Sequence, residues 1–252
     1  MNRIANYAEL KSKIVRWLGD YVLENPSIKS FVVGVSGGID SSVVSTLCAE
    51  TGLPTYVLSM PLNQISSQAD LSDLHREFLA KKYSNVIPLK VDLTSTYNQF
   101  VTASRFWLKD EMVANKLALA NTKSRLRMVT LYQVAGSVSG IVVGTGNKVE
   151  DYGVGFYTKY GDGGIDIAPI ADLYKTEVWE LGKHLGVDQR IIDAQPTDGL
   201  WEDGRTDENQ IGASYAELEE AMENGTGPAV EILAKFNTQN KHKMNPIPTF
   251  KL

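Results

Sequence analysis

Strands alternating with helices along the chain predict an α/β fold, a parallel sheet with helices on both faces and three layers in all. Three observations carry that expectation. Short, mainly apolar segments rich in β-branched residues occur at FVVGV (31–35), TYVLSM (55–60), VIPLKV (86–91) and IVVG (141–144), the first of them a continuous apolar run. Such runs read as strands buried on both faces. Segments of helical pattern separate them, and the first run ends in glycines that open a helix, where ligands of such folds bind.

The elements are justified in chain order. Ile4, Tyr7, Leu10, Ile14, Trp17, Leu18 and Tyr21 recur at helical spacing, so the chain opens with an amphipathic helix. A helix over about 40–50 comes after the first strand and stops at Gly52 and Pro54. Residues 67–82 are polar-rich and helical. Pro88 marks the third strand as an edge strand or a broken one, because proline cannot donate to a ladder. Residues 95–139 hold two or more helices. The stretch 151–169, rich in Gly, Tyr and Asp, reads as a long loop. Helices return at about 174–185, 214–224 and 228–236. The polar, acidic segment 195–210 is long for a plain connection and is expected to act as a mobile lid.

Composition sets limits. The chain has 252 residues, 43% hydrophobic and 22% charged, so one globular domain over 1–252 is expected, not a disordered, collagen-like or coiled-coil chain. Lys and Arg total 25 against 30 Asp and Glu, a formal charge of −5. With no basic run, no nucleic-acid partner is expected, and an anionic ligand must be met by local cations or helix N-termini. Cys48 is the single cysteine, which excludes an intramolecular disulfide and a Cys-rich zinc site. It lies in an apolar helical run with Val43, Val44 and Leu47 and reads as core. His75, His184 and His242 are too widely spaced for a metal-ligand pattern. No run approaches a membrane span and the N-terminal stretch carries charges throughout, so a cytoplasmic protein without a membrane partner is expected.

The segment Gly34-Val35-Ser36-Gly37-Gly38-Ile39-Asp40-Ser41-Ser42 carries the chemistry. Three readings of it compete. As G-x-S-x-G it could be a nucleophile elbow on Ser36, but no HGGG-type oxyanion segment precedes it. As a Walker A or dinucleotide loop it fails, because Gly38 is followed by Ile39-Asp40 and no G-x-G-x-x-G closes a strand. As a pyrophosphate-binding loop it fits: glycines admit a close backbone approach, the helix N-terminus favours an anion, and Asp40 in the first helical turn suits Mg²⁺ beside phosphate oxygens.

SGGIDS (36–41) resembles the SGGxDS loop of the ATP pyrophosphatases, which split ATP into AMP and pyrophosphate. Further segments resemble one family of them, the NAD synthetases: NTKSRLRM (121–128), GTGNKVE (144–150), FYTKYGDGG (156–164), DIAP (166–169), LYK (173–175), PTD (196–198) and KHK (241–243). The resemblance implies a Rossmann-like, adenine-nucleotide-hydrolase type of sheet and an ammonia-dependent ligase. It would convert deamido-NAD, ATP and ammonia to NAD, AMP and pyrophosphate through an adenylated carboxylate. It also implies a homodimer.

By that resemblance Asp40 and Glu150 would hold Mg²⁺, and with Lys175 would stabilise the departing pyrophosphate. Gly34, Val35, Ser36, Gly37, Gly38, Ile39, Asp40, Ser41, Arg127, Thr145, Lys175 and Thr197 would face ATP. Asn121, Arg125, Phe156, Lys159, Asp166, His242 and Lys243 would face deamido-NAD. From the residues alone, Asp40 and Glu150 each lie just past a strand end and should meet at one sheet edge. Arg125 and Arg127 are two apart on a helix and should point to different sides. Phe156 reads equally well as a core aromatic, and His242 and Lys243 fall in an expected tail. The pattern departs from the Thr-Asp-His-Ala-Ala-Glu of many bacterial members at Thr145-Gly-Asn-Lys-Val-Glu150, and one extra residue comes after Glu150. With Cys48 the only thiol, no glutaminase nucleophile is expected. Free ammonia is then the nitrogen source, unless a separate glutaminase subunit delivers it. An adenine-nucleotide sensor and a pyrophosphatase acting on another carboxylate are the alternatives.

Overall fold

A computed structural model describes residues 3–62, 66–106, 108–109, 112, 115–201 and 203–251. Four strands, β1 (Ser30–Gly34), β2 (Thr55–Ser59), β3 (Val86–Lys90) and β4 (Gly140–Val142), form one parallel sheet in the order β3-β2-β1-β4. Phe31 pairs with Thr55 on one side of β1, and with Ile141 on the other. Val143 adds a parallel bridge to Ile167 just beyond β4. Pro88 sits opposite Val57 on β3, the outermost strand, where a missing N–H is tolerated.

The helices are α1 (Tyr7–Glu24), α2 (Ile39–Glu50), α3 (Ser66–Lys82), α4 (Thr94–Ser104), α5 (Lys116–Ser137), α6 (Lys175–Leu185), α7 (Gln189–Ile192), α8 (Asp207–Ile211), α9 (Tyr215–Asn224) and α10 (Val230–Met244). Side chains alternate along each strand, and the two sets go to different layers. Phe31, Val33, Ile141 and Val143 pack with α1, α2 and α6 through Leu18, Val43, Leu47 and Leu181. Val32 and Val142 pack the other way, with Leu58 of β2, Tyr97 of α4 and Ala135 of α5. This is the three-layer arrangement expected. Cys48 is fully buried within the first of these layers, and burial pushes its thiol far above the ordinary range. Among the described residues no helix is long and apolar enough to cross a membrane.

Two expectations are corrected. Residues 149–154 are not loop but a turn of π-helix, closed by Gly155 in the left-handed region. A π-turn spends one residue more than an α-turn, so a turn of this kind can take up an added residue without displacing the chain beyond it. The last helix runs to Met244 rather than ending near 236, so His242 and Lys243 occupy its final turn instead of a loose tail. A separate apolar cluster, with Val149, Val154, Tyr174, Ile211, Tyr215 and Leu218, binds the π-turn to α8, α9 and α10.

Candidate functional site

The carboxyl ends of β1 and β4 lie side by side, and the loops leaving them build the site. After β1 the backbone turns at Gly37, whose φ of 91° suits only glycine. Gly34 is needed for space: a Cβ there would come within 3.3 Å of the Met60 Cε. Gly38 caps α2 without a side chain, so the first-turn amides of α2 have no intrahelical acceptor and point at the loop. The serines hold the loop to itself. Ser36 N–H and Ser36 Oγ meet Ser41 Oγ at 3.2 and 3.1 Å, and Ser41 and Ser42 hydroxyls donate to the Gly38 carbonyl. Val35 is built into the sheet end, its N–H on the Leu58 carbonyl and its own carbonyl taking the Ser72 hydroxyl. Its side chain and that of Ile39 are core, so these two can serve a ligand only through the backbone.

Asp40, Glu150 and Lys175 converge on one point. The Lys175 ammonium donates to Asp40 Oδ2 at 2.5 Å and to Glu150 Oε1 at 2.9 Å. The lysine side chain is 3% exposed, the two carboxylates 15% and 16%. Each comes from the first turn of a different element: α2, the π-turn and α6. Burial opposes charge at all three. The two carboxylates outweigh it at Lys175 and hold the ammonium protonated above the ordinary lysine range. Burial also opposes Glu150's charge, but Lys175 outweighs it and holds that carboxyl below the usual carboxylate range. Asp40 is pushed up by burial and by the neighbouring Glu150, against the pull of Lys175.

The two arginines of α5 diverge as expected. Arg127 reaches inward, donating from Nε to the Met60 carbonyl at 3.3 Å at the end of β2, and its buried Nη2 meets no partner. Burial pulls its pKa down to about 10. Asp162 and Asp198 favour its charge from nearby, and the unpartnered Nη2 leaves a donor for an anion. Arg125 is exposed and donates to the Lys159 carbonyl at 3.3 Å. Around it the structure gathers most of the second set of residues. The Thr158 hydroxyl donates to Asn121, the Lys159 ammonium to the His242 carbonyl at 3.2 Å, and the Lys243 ammonium to the Gly155 and Tyr157 carbonyls. Asp166 is occupied structurally: its carboxylate accepts the Val142 amide at 2.7 Å and the Tyr132 hydroxyl at 3.0 Å. Phe156 is half-buried and packs against the cluster of α8–α10. Thr145 lies half-buried between β4 and Asn147. Thr197 stands apart, its hydroxyl on the Arg205 carbonyl at 3.1 Å.

The NAD synthase family model matches residues 10–247. The chain belongs to the NAD synthase family. It is 37% identical over 243 residues to an NH(3)-dependent NAD(+) synthetase of Carboxydothermus hydrogenoformans, covering 94% of this chain and 95% of that one. It is 39% identical over 217 residues to one from Archaeoglobus fulgidus, covering 83% and 82%. Among solved structures, an NMN synthetase from Francisella tularensis superposes with a TM-score of 0.87 at 32% identity, over 99% of this chain and 100% of that one.

In this family member several site residues escape sequence reading. Asn147 is fully buried and donates to Asp40 Oδ1 at 3.0 Å. The Tyr215 hydroxyl, 1% exposed, lies 2.7 Å from Glu150 Oε1 and 3.2 Å from Asp207 Oδ2. Burial and nearby Glu150 push Asp207 up to about 7. The tyrosine hydroxyl has one proton to share between these two carboxylates, and the Glu150 contact is the shorter. Asp151, pushed up to about 8 by burial and Glu150, lies where a Gly146 side chain would sit: a Cβ there would meet its carboxylate at 2.1 Å.

The segment 195–210 is a self-bound loop. The Asp207 N–H joins its ends on the Pro196 carbonyl at 3.0 Å. Asp198 accepts from Leu200 N–H, Trp201 Nε1 and Gln210 Nε2. Across to α5, Lys123 donates to the Leu200 carbonyl at 3.1 Å. Limited proteolysis of the free protein should cut within 195–210, and ATP with deamido-NAD should protect those bonds. Equal cleavage with and without ligands would remove the lid assignment.

Proposed function

We propose that this chain is an ammonia-dependent ligase that amidates the nicotinate carboxylate of deamido-NAD at the expense of ATP. The observation that carries this reading is the Asp40–Lys175–Glu150 cluster beneath the glycine loop, in a chain matched to the family over nearly its whole length. The α2 amides and the glycine loop would hold the ATP phosphates, with Arg127 adding a fixed charge at the β2 end. Arg125, Asn121, Lys159 and the last turn of α10 would hold the dinucleotide.

The donor set fits Mg²⁺. Two carboxylates already share one cation within hydrogen-bonding distance, and Mg²⁺ takes one or two carboxylates with phosphate oxygens supplying the rest. When bound by Asp40 and Glu150, Mg²⁺ would neutralise phosphate charge. Lys175, held charged at the same point, would add its own positive charge toward the pyrophosphate. The nicotinate oxygen forms a bond to the α-phosphorus as the bond to pyrophosphate breaks. Ammonia nitrogen then attacks the acyl carbon, AMP leaves, and one proton is lost. The chain positions and neutralises, and supplies no nucleophile.

The close superposition on an NMN synthetase favours a second reading, the same amidation on nicotinate mononucleotide. The exposed apolar side chains of α4 and α5, among them Phe100, Leu117 and Val129, are the face proposed for pairing two copies in the cytoplasm. The deciding experiment is pyrophosphate release from the purified protein with Mg-ATP and ammonium, given deamido-NAD, nicotinate mononucleotide or neither. Release that needs deamido-NAD and yields NAD supports the first reading. Release only with the mononucleotide supports the second. Release with neither, or none at all, overturns both.

A further inference from the structure

Asn147, like Lys175, touches both Asp40 and the turn carrying Glu150, and it does so as a neutral group. Its amide Nδ2 donates to Asp40 Oδ1 at 3.0 Å. Its Oδ1 accepts from the Val149 and Glu150 amides at 3.1 and 3.2 Å, the pattern of a helix N-cap. The residue is completely buried, so all of this happens without water. The neighbouring Lys148 N–H donates to the Leu173 carbonyl at 2.8 Å, just before Lys175. Residues 147–150 therefore tie together the three chain segments that supply the cluster.

Resting on the ligase reading above, we infer that Asn147 is a positioning residue that fixes the separation of the Asp40 and Glu150 carboxylates for a divalent cation. Two properties make this more than a helix cap. The cap uses only the side-chain oxygen, and a serine or threonine would provide it. The Nδ2 donor is spent on Asp40 Oδ1, leaving Oδ2, the oxygen on Lys175, to face the position between the two carboxylates. Removing the donor frees the Asp40 rotamer without disturbing the π-turn. It also strips a hydrogen bond from a buried carboxylate, where such bonds are strongest.

The test separates the two roles. Asn147→Ser keeps an N-cap acceptor at Oγ and removes the amide Nδ2 that reaches Asp40, its shorter hydroxyl ending one bond earlier, and Asn147→Thr does the same if the serine variant does not fold. Mn²⁺ binding is read by electron paramagnetic resonance with a non-hydrolysable ATP analogue, beside thermal unfolding and the Mg²⁺ dependence of turnover. The expected result is Mn²⁺ binding weakened about tenfold or more, a matching rise in the Mg²⁺ needed for half-maximal turnover, and a melting temperature close to wild type. Wild-type Mn²⁺ affinity and Mg²⁺ dependence in the capped variants would overturn the inference and leave Asn147 as a cap. A wild-type protein that binds Mn²⁺ with nucleotide but releases no pyrophosphate with either pyridine nucleotide would instead overturn the ligase reading. The Mn²⁺ comparison would still decide Asn147.

Discussion

Asp40→Asn should slow pyrophosphate release by about a hundredfold to a thousandfold, the size of effect seen when one preorganised electrostatic group is removed from a site, and leave the fold nearly intact. The asymmetry comes from how the cluster is wired. Asparagine matches the carboxylate in shape and keeps an oxygen for the Asn147 amide. Lys175 still has Glu150 at 2.9 Å, so no buried charge is stranded. What disappears is one of the two negative charges proposed to hold Mg²⁺ against the phosphates. Steady-state pyrophosphate release beside far-ultraviolet circular dichroism and thermal unfolding checks both halves. Full turnover in the variant would make Asp40 a structural ion-pair partner and no more.

Lys175→Met should have the opposite profile in stability. The ammonium is the cation shared by Asp40 and Glu150, and it is almost wholly buried. Methionine fills much of the same volume but leaves two carboxylates facing each other in a dry site. Breaking a buried pair from one side costs about 3–5 kcal/mol, which for a chain of this size lowers the melting temperature by roughly 10 °C. Part of that loss should return on adding Mg²⁺, because the variant offers an open pair of carboxylates. Wild type should gain little from Mg²⁺ without nucleotide. Differential scanning calorimetry with and without Mg²⁺ measures both differences. A variant as stable as wild type, indifferent to Mg²⁺, would mean the carboxylates are neutralised by protonation instead.

Much of the scaffold was legible because burial leaves its mark on composition. FVVGV and IVVG are unbroken apolar runs, since both faces of β1 and β4 are covered. That placed Asp40 and Glu150 at one sheet edge before any coordinates. The divergence of Arg125 and Arg127 came from helical geometry alone. Three things were not readable. Asn147, Tyr215 and Asp207 act through contacts between distant segments, and nothing in their immediate sequence differs from an ordinary polar residue. The end of α10 was misjudged because none of its residues is buried, so the apolar periodicity fades through FNTQNKHKM while the helix continues. The π-turn reads as loop because Tyr152, Gly153 and the closing Gly155 imitate one.

The wide turn at 149–154 also bears on how such a protein changes length. An inserted residue in a tight connection would rotate every later side chain by a large fraction of a turn. A residue absorbed as extra girth moves none of them. The carboxylate at the start of the turn and the basic residues after it can then keep their stations while the stretch between them grows by one. Insertions and deletions in this lineage are therefore expected to collect at that turn.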